Sequence, residues 1–428
     1  MASIRTVLAL AALEDLDLRS VDISHAYING TLEEEIYMQQ PDGFHFGKPG
    51  DVLKLVKSLY GLKQAGRVWY LELSNVLKAE GFLRLKSDPS LFMWQRGDVR
   101  VIMPVFTDDI TIAAPSSAES DQMVALLSQH FKLRDLGPTS WLLGIEITRD
   151  RPNRRISLSQ RQYVIDVLDT YGFADCSTVL TPMIPNTHLS AADCPSTPEE
   201  RSYMQQFPYI NAVGALMYLA TSTRPDIAYT VSKLACYNSN PGKVHWAAVK
   251  HLFRYLKGTM DLKLTYGPDS STSELFSVFS DADFGMDPDT RRSTGGYMVR
   301  MGTGAINWSS KLQNWVTLST TEAEYVAAVE AGKEIAWMRN LLSELGYKFS
   351  SPSTLHMDNN SAIAVAKNPE KFTRIKHIDL RLYWLKEVVD KGMVKPQYCP
   401  TADMPADLLT KALAPVKVSH LRKLMGLE

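Results

Sequence analysis

Val101 to Ala113 reads VIMPVFTDDITIA: two apolar runs, Val101–Phe106 and Ile110–Ala113, joined by Thr107, Asp108 and Asp109. The pattern predicts a β-hairpin with two adjacent carboxylates at its tip. Asp-Asp in a tight connection is ordinary turn chemistry, because a short acidic side chain bonds its own backbone. It is also one half of a metal site if a third carboxylate arrives from elsewhere. Asp22 is the candidate, since it follows a strand-like stretch that begins after Asp17. Three converging carboxylates repel unless a hard cation such as Mg²⁺ neutralises them.

Outward from the hairpin, the chain up to about Glu146 alternates strand-like and helical runs, as an α/β or α+β unit does. Thr6–Leu13 (TVLALAAL) behind Arg5 has the look of a short signal peptide or of a buried helix leading into the Asp22 strand. From Asp150 to about Pro208 the text is polar and broken by prolines, which predicts a linker or loosely packed region. Val244–Lys257 has helical apolar spacing and Gly258 behind it as a stop. After a polar break at Gly267–Ser273, strands come first: one ending at Ser280, then Gly296–Met301, Ala305–Ser309 and Val316–Leu318. Ser319 and Glu322 have capping-box spacing and open a long helix that Gly346 ends. Thr354–Met357 is another strand, with a helix from near Ser361.

The 428 residues suggest about three compact units. Hydrophobic residues at 45% and charged residues at 22% exclude a disordered chain, a collagen and a coiled-coil rod. The 46 Lys and Arg against 47 Asp and Glu leave a net charge of −1, so a nucleic-acid partner must be held by local patches. Two such patches are legible, Lys243–Lys263 with five basic residues to one acid, and Lys367–Lys386 with six to two. Four scattered cysteines without a C-x-x-C pair argue against a zinc finger or a disulfide framework, and fit a reducing, intracellular setting, cytoplasmic or nuclear. No apolar run reaches membrane-spanning length.

A second set of acids, Asp281, Glu324, Asp358 and Asp407, falls on a strand, a first helical turn, a strand end and a C-terminal helix. Taken singly, each is an unremarkable surface or capping acid, and Glu324 favours the helix dipole in any case. Together they have the composition of a two-metal nuclease site, where cations about 3.5–4 Å apart clamp attacking and leaving oxygens.

VDISHAYINGTLEEEIYMQQPDGF (Val21–Phe44), LVKSLYGLKQAGRVWY (Leu55–Tyr70), FTDDI (Phe106–Ile110) and WLLGIEI (Trp141–Ile147) resemble, in order and spacing, the reverse transcriptase of copia-type LTR retrotransposon Pol polyproteins. SDADFG (Ser280–Gly285), RRSTGGY (Arg291–Tyr297), LSTTEAEYVA (Leu318–Ala327), HMDNNSAI (His356–Ile363), KHIDLR (Lys376–Arg381) and PTADMPADLLTK (Pro400–Lys411) resemble the ribonuclease H domain of the same polyprotein. The resemblance implies an α/β and α+β multidomain chain: a polymerase palm over 1–148, a thumb or tether (connection) region over 149–268, and a ribonuclease H-like α/β domain over 273–428, which the four acids and the polar break at Gly267–Ser273 predict to fold independently. It implies Mg²⁺, or Mn²⁺, on Asp22, Asp108 and Asp109 and on Asp281, Glu324, Asp358 and Asp407. Tyr27 is implied beneath the sugar of an incoming dNTP, Gln64 against nucleotide and template, Gly144 in a primer-grip hairpin and His377 on substrate. Without the motifs, Tyr27 reads equally as core, Gln64 as a surface amide and His377 as a solvated helix residue. Phe106 and Thr107 stand where the family usually has Tyr-Val, and Phe284 where it has Trp.

The implied chemistry is RNA-directed DNA synthesis on an RNA template and DNA primer, with cleavage of the RNA in RNA:DNA hybrids. In the family a fingers region with triphosphate-gripping Lys and Arg precedes this text, so the polymerase step is expected to be crippled here. The alternative is a non-catalytic remnant or a hybrid-binding protein. Asp283, two residues after Asp281 in the same block, receives no certain role.

Overall fold

A computed structural model describes residues 1–44, 46–48, 50–368 and 380–428; backbone alone is described for 380–382. The chain divides into two compact units: Glu14–Thr139, and a split unit made of Met1–Leu13 with Ser140–Glu428.

In Glu14–Thr139, three strands carry the first acids: β1 (Asp17–Ile23), β2 (Val99–Phe106) and β3 (Asp109–Ala114). They lie in a six-stranded sheet in the order Leu83–Arg84, Leu91–Arg96, β2, β3, β1, Leu133–Pro138. All neighbours are antiparallel. Val21, Ile23, Val101, Met103, Ile110 and Ile112 bury one face together with Trp69, Leu73 and Leu77 of the helix Ala65–Ala79. The hairpin expected at Thr107–Asp109 is present, and its turn places Thr107 at φ 58°. The Trp69 indole N–H donates to the Thr107 carbonyl at 2.7 Å and so pins that turn to the core.

In the split unit, β4 (Phe276–Ala282), β5 (Thr294–Met301), β6 (Gly304–Leu312), β7 (Ser353–Met357) and β8 (Val394–Tyr398) form a mixed sheet in the order β6-β5-β4-β7-β8. The first three strands are antiparallel neighbours, whereas β4–β7 and β7–β8 are parallel. A parallel neighbour needs a crossover, and between β6 and β7 it is supplied by a long helix, Thr320–Glu344. Ser319 caps that helix by accepting from the Glu322 N–H at 3.1 Å. The Glu322 carboxylate accepts instead from the Leu318 N–H, so the expected capping box is only half formed.

The structure departs from the sequence-based expectations at several places. The Asp150–Pro208 stretch is not uniformly loose: Arg155–Ser159 is a strand and Arg161–Thr170 a helix, with Val164, Val167 and Leu168 in the core. Its first part is ordered because three well-spaced apolar residues suffice to bury one face of a short helix. Val316–Leu318 is not a strand; Val316 and Leu318 are exposed while Thr317 turns inward to the Ser293 hydroxyl at 3.0 Å. Asp407 sits in a 3-10 turn, Pro405–Leu409.

The units also fall differently from the divisions at 148 and 273. Helix α1 (Ala2–Leu13) belongs to the split unit, with Val7–Ala12 wholly buried. The buried Arg5 guanidinium donates to the carbonyls of Ile306, Thr221 and Ser222, each at 2.7 Å, and lies 3.8 Å from the Trp308 ring centroid. Strand Leu264–Tyr266 pairs with Arg155–Ser159, and the Thr265 N–H donates to the Gly426 carbonyl at 2.8 Å. Segments on both sides of residue 273 thus complete one another's hydrogen bonding. All four cysteines are free. No helix among the described residues is long and apolar enough to cross a membrane.

Candidate carboxylate sites

The split unit brings Asp281, Glu324 and Asp358 together from β4, the long crossover helix and the residue after β7. Each offers a carboxylate oxygen within 4.8 Å of the others, the one group of three among the described residues that does so. Asp281 and Glu324 are buried and Asp358 is partly exposed. The Glu324 Oε2 has no hydrogen-bond partner, a costly state for a buried carboxylate. Burial, with the neighbouring Asp281 and Asp358 charges added, pushes the Glu324 carboxyl up to about 10. Burial raises Asp281 to about 7, against the opposing pull of Lys411. A crowded, all-oxygen, under-neutralised donor set is what a hard divalent cation satisfies.

Asp407, expected as the fourth ligand, lies beside this group but is engaged by lysines. Lys411 Nζ is 2.8 Å from one Asp407 oxygen and 3.1 and 3.2 Å from the two oxygens of Asp281. Lys417 pairs with the other Asp407 oxygen. Burial alone lowers a lysine, but Asp281 and Asp407 outweigh it and hold Lys411 above its ordinary value. The Thr410 hydroxyl donates to Asp281, and the Thr401 hydroxyl donates to Asp358 at 2.8 Å. Sequence reasoning missed Lys411, Lys417, Thr401 and Thr410. Lys411 had a legible signal, one helical turn after Asp407; Lys417 had none.

In Glu14–Thr139, Asp22 faces Asp109 directly across the β1–β3 ladder, and the Ile23 N–H donates to the Asp108 carbonyl at 2.9 Å. All three acids are partly exposed. Burial first, then the charges of Asp108 and Asp22, raise the Asp109 carboxyl. The Tyr27 ring meets Tyr60 edge to face, centroids 4.6 Å apart. Tyr60 is itself raised, by burial and then by the Asp108, Tyr27 and Asp22 charges, which places this aromatic pair within reach of the acids. Tyr60 lies inside the block Leu55–Tyr70, where the sequence alone gives it no distinguishing signal.

Gln64 stands at the N-cap of Ala65–Ala79 and donates to Glu34 at 2.7 Å. Gly144, at φ 75°, turns the chain between the short strand Trp141–Leu142 and Ile145–Asp150, and it belongs to the split unit. Tyr218 donates to the Leu143 carbonyl there at 2.7 Å, and its hydroxyl would stand 2.8 Å from a Cβ at 144. His377, and most of the basic run Lys367–Lys386, lie outside the described residues.

A model of the family described as reverse transcriptase (RNA-dependent DNA polymerase) matches residues 1–185. The Retrovirus-related Pol polyprotein from transposon TNT 1-94 of Nicotiana tabacum is 41% identical over 430 residues, covering all of this chain and 32% of that protein. Its counterpart from transposon RE2 of Arabidopsis thaliana is 37% identical, covering 99% of this chain and 28% of that protein. A putative transposon Ty5-1 protein of Saccharomyces cerevisiae is 32% identical, covering 74% of this chain and 100% of that protein. A solved structure, the N-terminal RNase H domain of Rv2228c from Mycobacterium tuberculosis in a maltose-binding-protein fusion, matches 32% of this chain and 89% of that one at 16% identity and TM-score 0.23. The chain belongs to the reverse transcriptase family of copia-type transposon Pol polyproteins. It spans about a third of the length of its tobacco relative.

Proposed function

We propose that the split unit is a ribonuclease H that cleaves the RNA strand of RNA:DNA hybrids, and that Glu14–Thr139 is the palm of an RNA-directed DNA polymerase. The observation that carries the reading is the convergence of Asp281, Glu324 and Asp358 within 4.8 Å, with one buried carboxylate oxygen left unpaired. Bound there, two Mg²⁺ or Mn²⁺ ions supply Lewis-acid stabilisation of the scissile phosphate and lower the pKa of a water nucleophile. The chain's own residues prepare the site. Thr410 and Lys411 hold Asp281, and Thr401 holds Asp358, so these carboxylates are oriented before any cation arrives. Lys411 and Lys417 neutralise Asp407, which would be the fourth residue to hold the cations. Glu324 joins the group from the first turns of its helix, where burial favours its protonated form; a cation held there would displace that proton to solvent.

In the palm, Asp22, Asp108 and Asp109 are the proposed ligands for the Mg²⁺ that accompanies a dNTP, and Tyr27 with Tyr60 forms the aromatic floor beside them. RNA template and DNA primer are the corresponding substrates. The test is an Mg²⁺ titration of the full chain on an end-labelled RNA:DNA hybrid. Cleavage that requires the cation and falls at least about 100-fold in Asp358→Asn supports the reading. Retardation of the hybrid without cleavage at any Mg²⁺ or Mn²⁺ concentration overturns it in favour of a hybrid-binding remnant.

A further inference from the structure

The four acids of the split unit are not engaged alike. Glu324 Oε2 has no hydrogen-bond partner, and Asp358 accepts from the Thr401 hydroxyl at 2.8 Å. Asp281 and Asp407, both fully buried, are instead joined by one ammonium. Lys411 Nζ lies 2.8 Å from an Asp407 oxygen and 3.1 and 3.2 Å from the two Asp281 oxygens, while the other Asp407 oxygen pairs with Lys417. The backbone sets the place of that ammonium: the Lys411 N–H donates to the Asp407 carbonyl at 3.0 Å, which puts the side chain one turn beyond the acid it holds. Its side chain stays partly exposed, at 36%, so the ammonium can withdraw to water on its flexible stem.

A compact point charge that bridges carboxylates of two different segments does there what a divalent cation does. The charges point the same way. Lys411, Lys417 and a single divalent cation neutralise four ionised carboxylates. A second divalent cation would therefore meet a group already neutral, with an ammonium in its path.

We propose that Lys411 is a positioning residue that stands in for one of the two cations. The hybrid-free chain then takes up a single divalent cation, on Asp281, Glu324 and Asp358. A second enters between Asp281 and Asp407 only where Lys411 withdraws. The anionic phosphate of a bound hybrid supplies the charge that makes this second uptake favourable. The proposal rests on the nuclease reading of the site and adds to it an order of loading.

The experiment counts Mn²⁺ bound to the full chain without hybrid, from the electron paramagnetic resonance of the free ion. Asp108→Asn and Asp109→Asn are present in every protein, so that the palm carboxylates do not contribute. This parent should bind one Mn²⁺. Lys411→Gln should bind two, the second at least about tenfold more tightly than any second uptake by the parent, with the spin-coupled spectrum of ions about 3.5–4 Å apart. Lys411→Arg, which keeps the charge in place, should return the count to one. Lys417→Gln removes a charge from Asp407 without clearing the bridge to Asp281 and should also bind one. Two Mn²⁺ on the parent, one on Lys411→Gln, or equal gains in Lys417→Gln and Lys411→Gln overturn the proposal. Thermal melts check folding, and the parent's count decides if Lys411→Gln does not fold. Hybrid cleavage by the unmodified chain in Mg²⁺ is scored separately. Single uptake without cleavage removes the nuclease reading alone, whereas cleavage with two Mn²⁺ on the hybrid-free parent removes the stand-in alone.

Discussion

Asp281 and Asp407 are fully buried and share Lys411, whereas Asp22, Asp108 and Asp109 sit partly exposed around a hairpin with no lysine or arginine paired to them among the described residues. The difference follows from where each set is built. A hairpin tip leaves its carboxylates hydrated, so their mutual repulsion is screened and needs little compensation. A group at the end of a strand covered by a long helix loses that water, and an uncompensated charge there costs several kcal/mol. The buried set therefore carries its own counter-ions, while the exposed set does without.

The largest effect expected is on the integrity of the buried site. A fragment beginning at Ser273 loses α1, the strand Leu264–Tyr266 and the Arg5 bonds to Ile306, Thr221 and Ser222. It should unfold well below the full chain or fail to fold, and a circular-dichroism melt matching the full chain would refute this. Arg5→Ala isolates one part of that loss. Leaving three carbonyls without a donor and Trp308 without its cation should cost about 3 kcal/mol in urea unfolding. A shift below about 1 kcal/mol would mean that water replaces the guanidinium.

Next in size is the pH response. Glu324 and Asp281 have folded-state values above their unfolded ones, so between those values the native state holds the proton and the unfolded state does not. The contribution of these two groups to metal-free stability is then greatest at low pH and falls as pH rises from about 4–5 toward 7 for Asp281 and toward 10 for Glu324. The slope is roughly 1 kcal/mol per pH unit for each group while it lasts. Glu324→Gln should flatten the slope above pH 7, and Mg²⁺ should raise the melting temperature more at pH 8 than at pH 6. An identical Mg²⁺ response at both values would detach the cation from these carboxylates.

The smallest effect belongs to the exposed site. Thr107 holds φ 58° at the hairpin turn, a left-handed geometry that costs a side-chain-bearing residue about 1–2 kcal/mol. Thr107→Gly should stabilise Glu14–Thr139 by about 0.5 kcal/mol after the entropy of glycine is counted. Destabilisation by that variant would show that the threonine side chain, and not the turn, sets the hairpin.

The two acidic sets were singled out by motif blocks such as FTDDI, SDADFG and PTADMPADLLTK, whose family resemblance supplied what local pattern alone left as ordinary turn and capping acids. FTDDI between two apolar runs predicts its own hairpin, and Ser319 before Thr320–Glu344 predicts its own cap. Where local pattern and burial part company, the reading failed. Val316 and Leu318 are apolar yet exposed, and Arg161–Thr170 is helical inside polar text because three residues are enough to anchor it. Periodicity along the chain thus determined the strands and the long helix, since these depend on neighbours a few residues apart, and the resemblance of the motif blocks singled out the acids. Tertiary structure alone decided that α1 closes the unit begun again at Ser140, that Lys411 bridges Asp281 and Asp407, and that Gln64 turns to Glu34. Those partners are separated by as many as 301 residues, and burial selects among such distant groups by a free energy that no local pattern encodes.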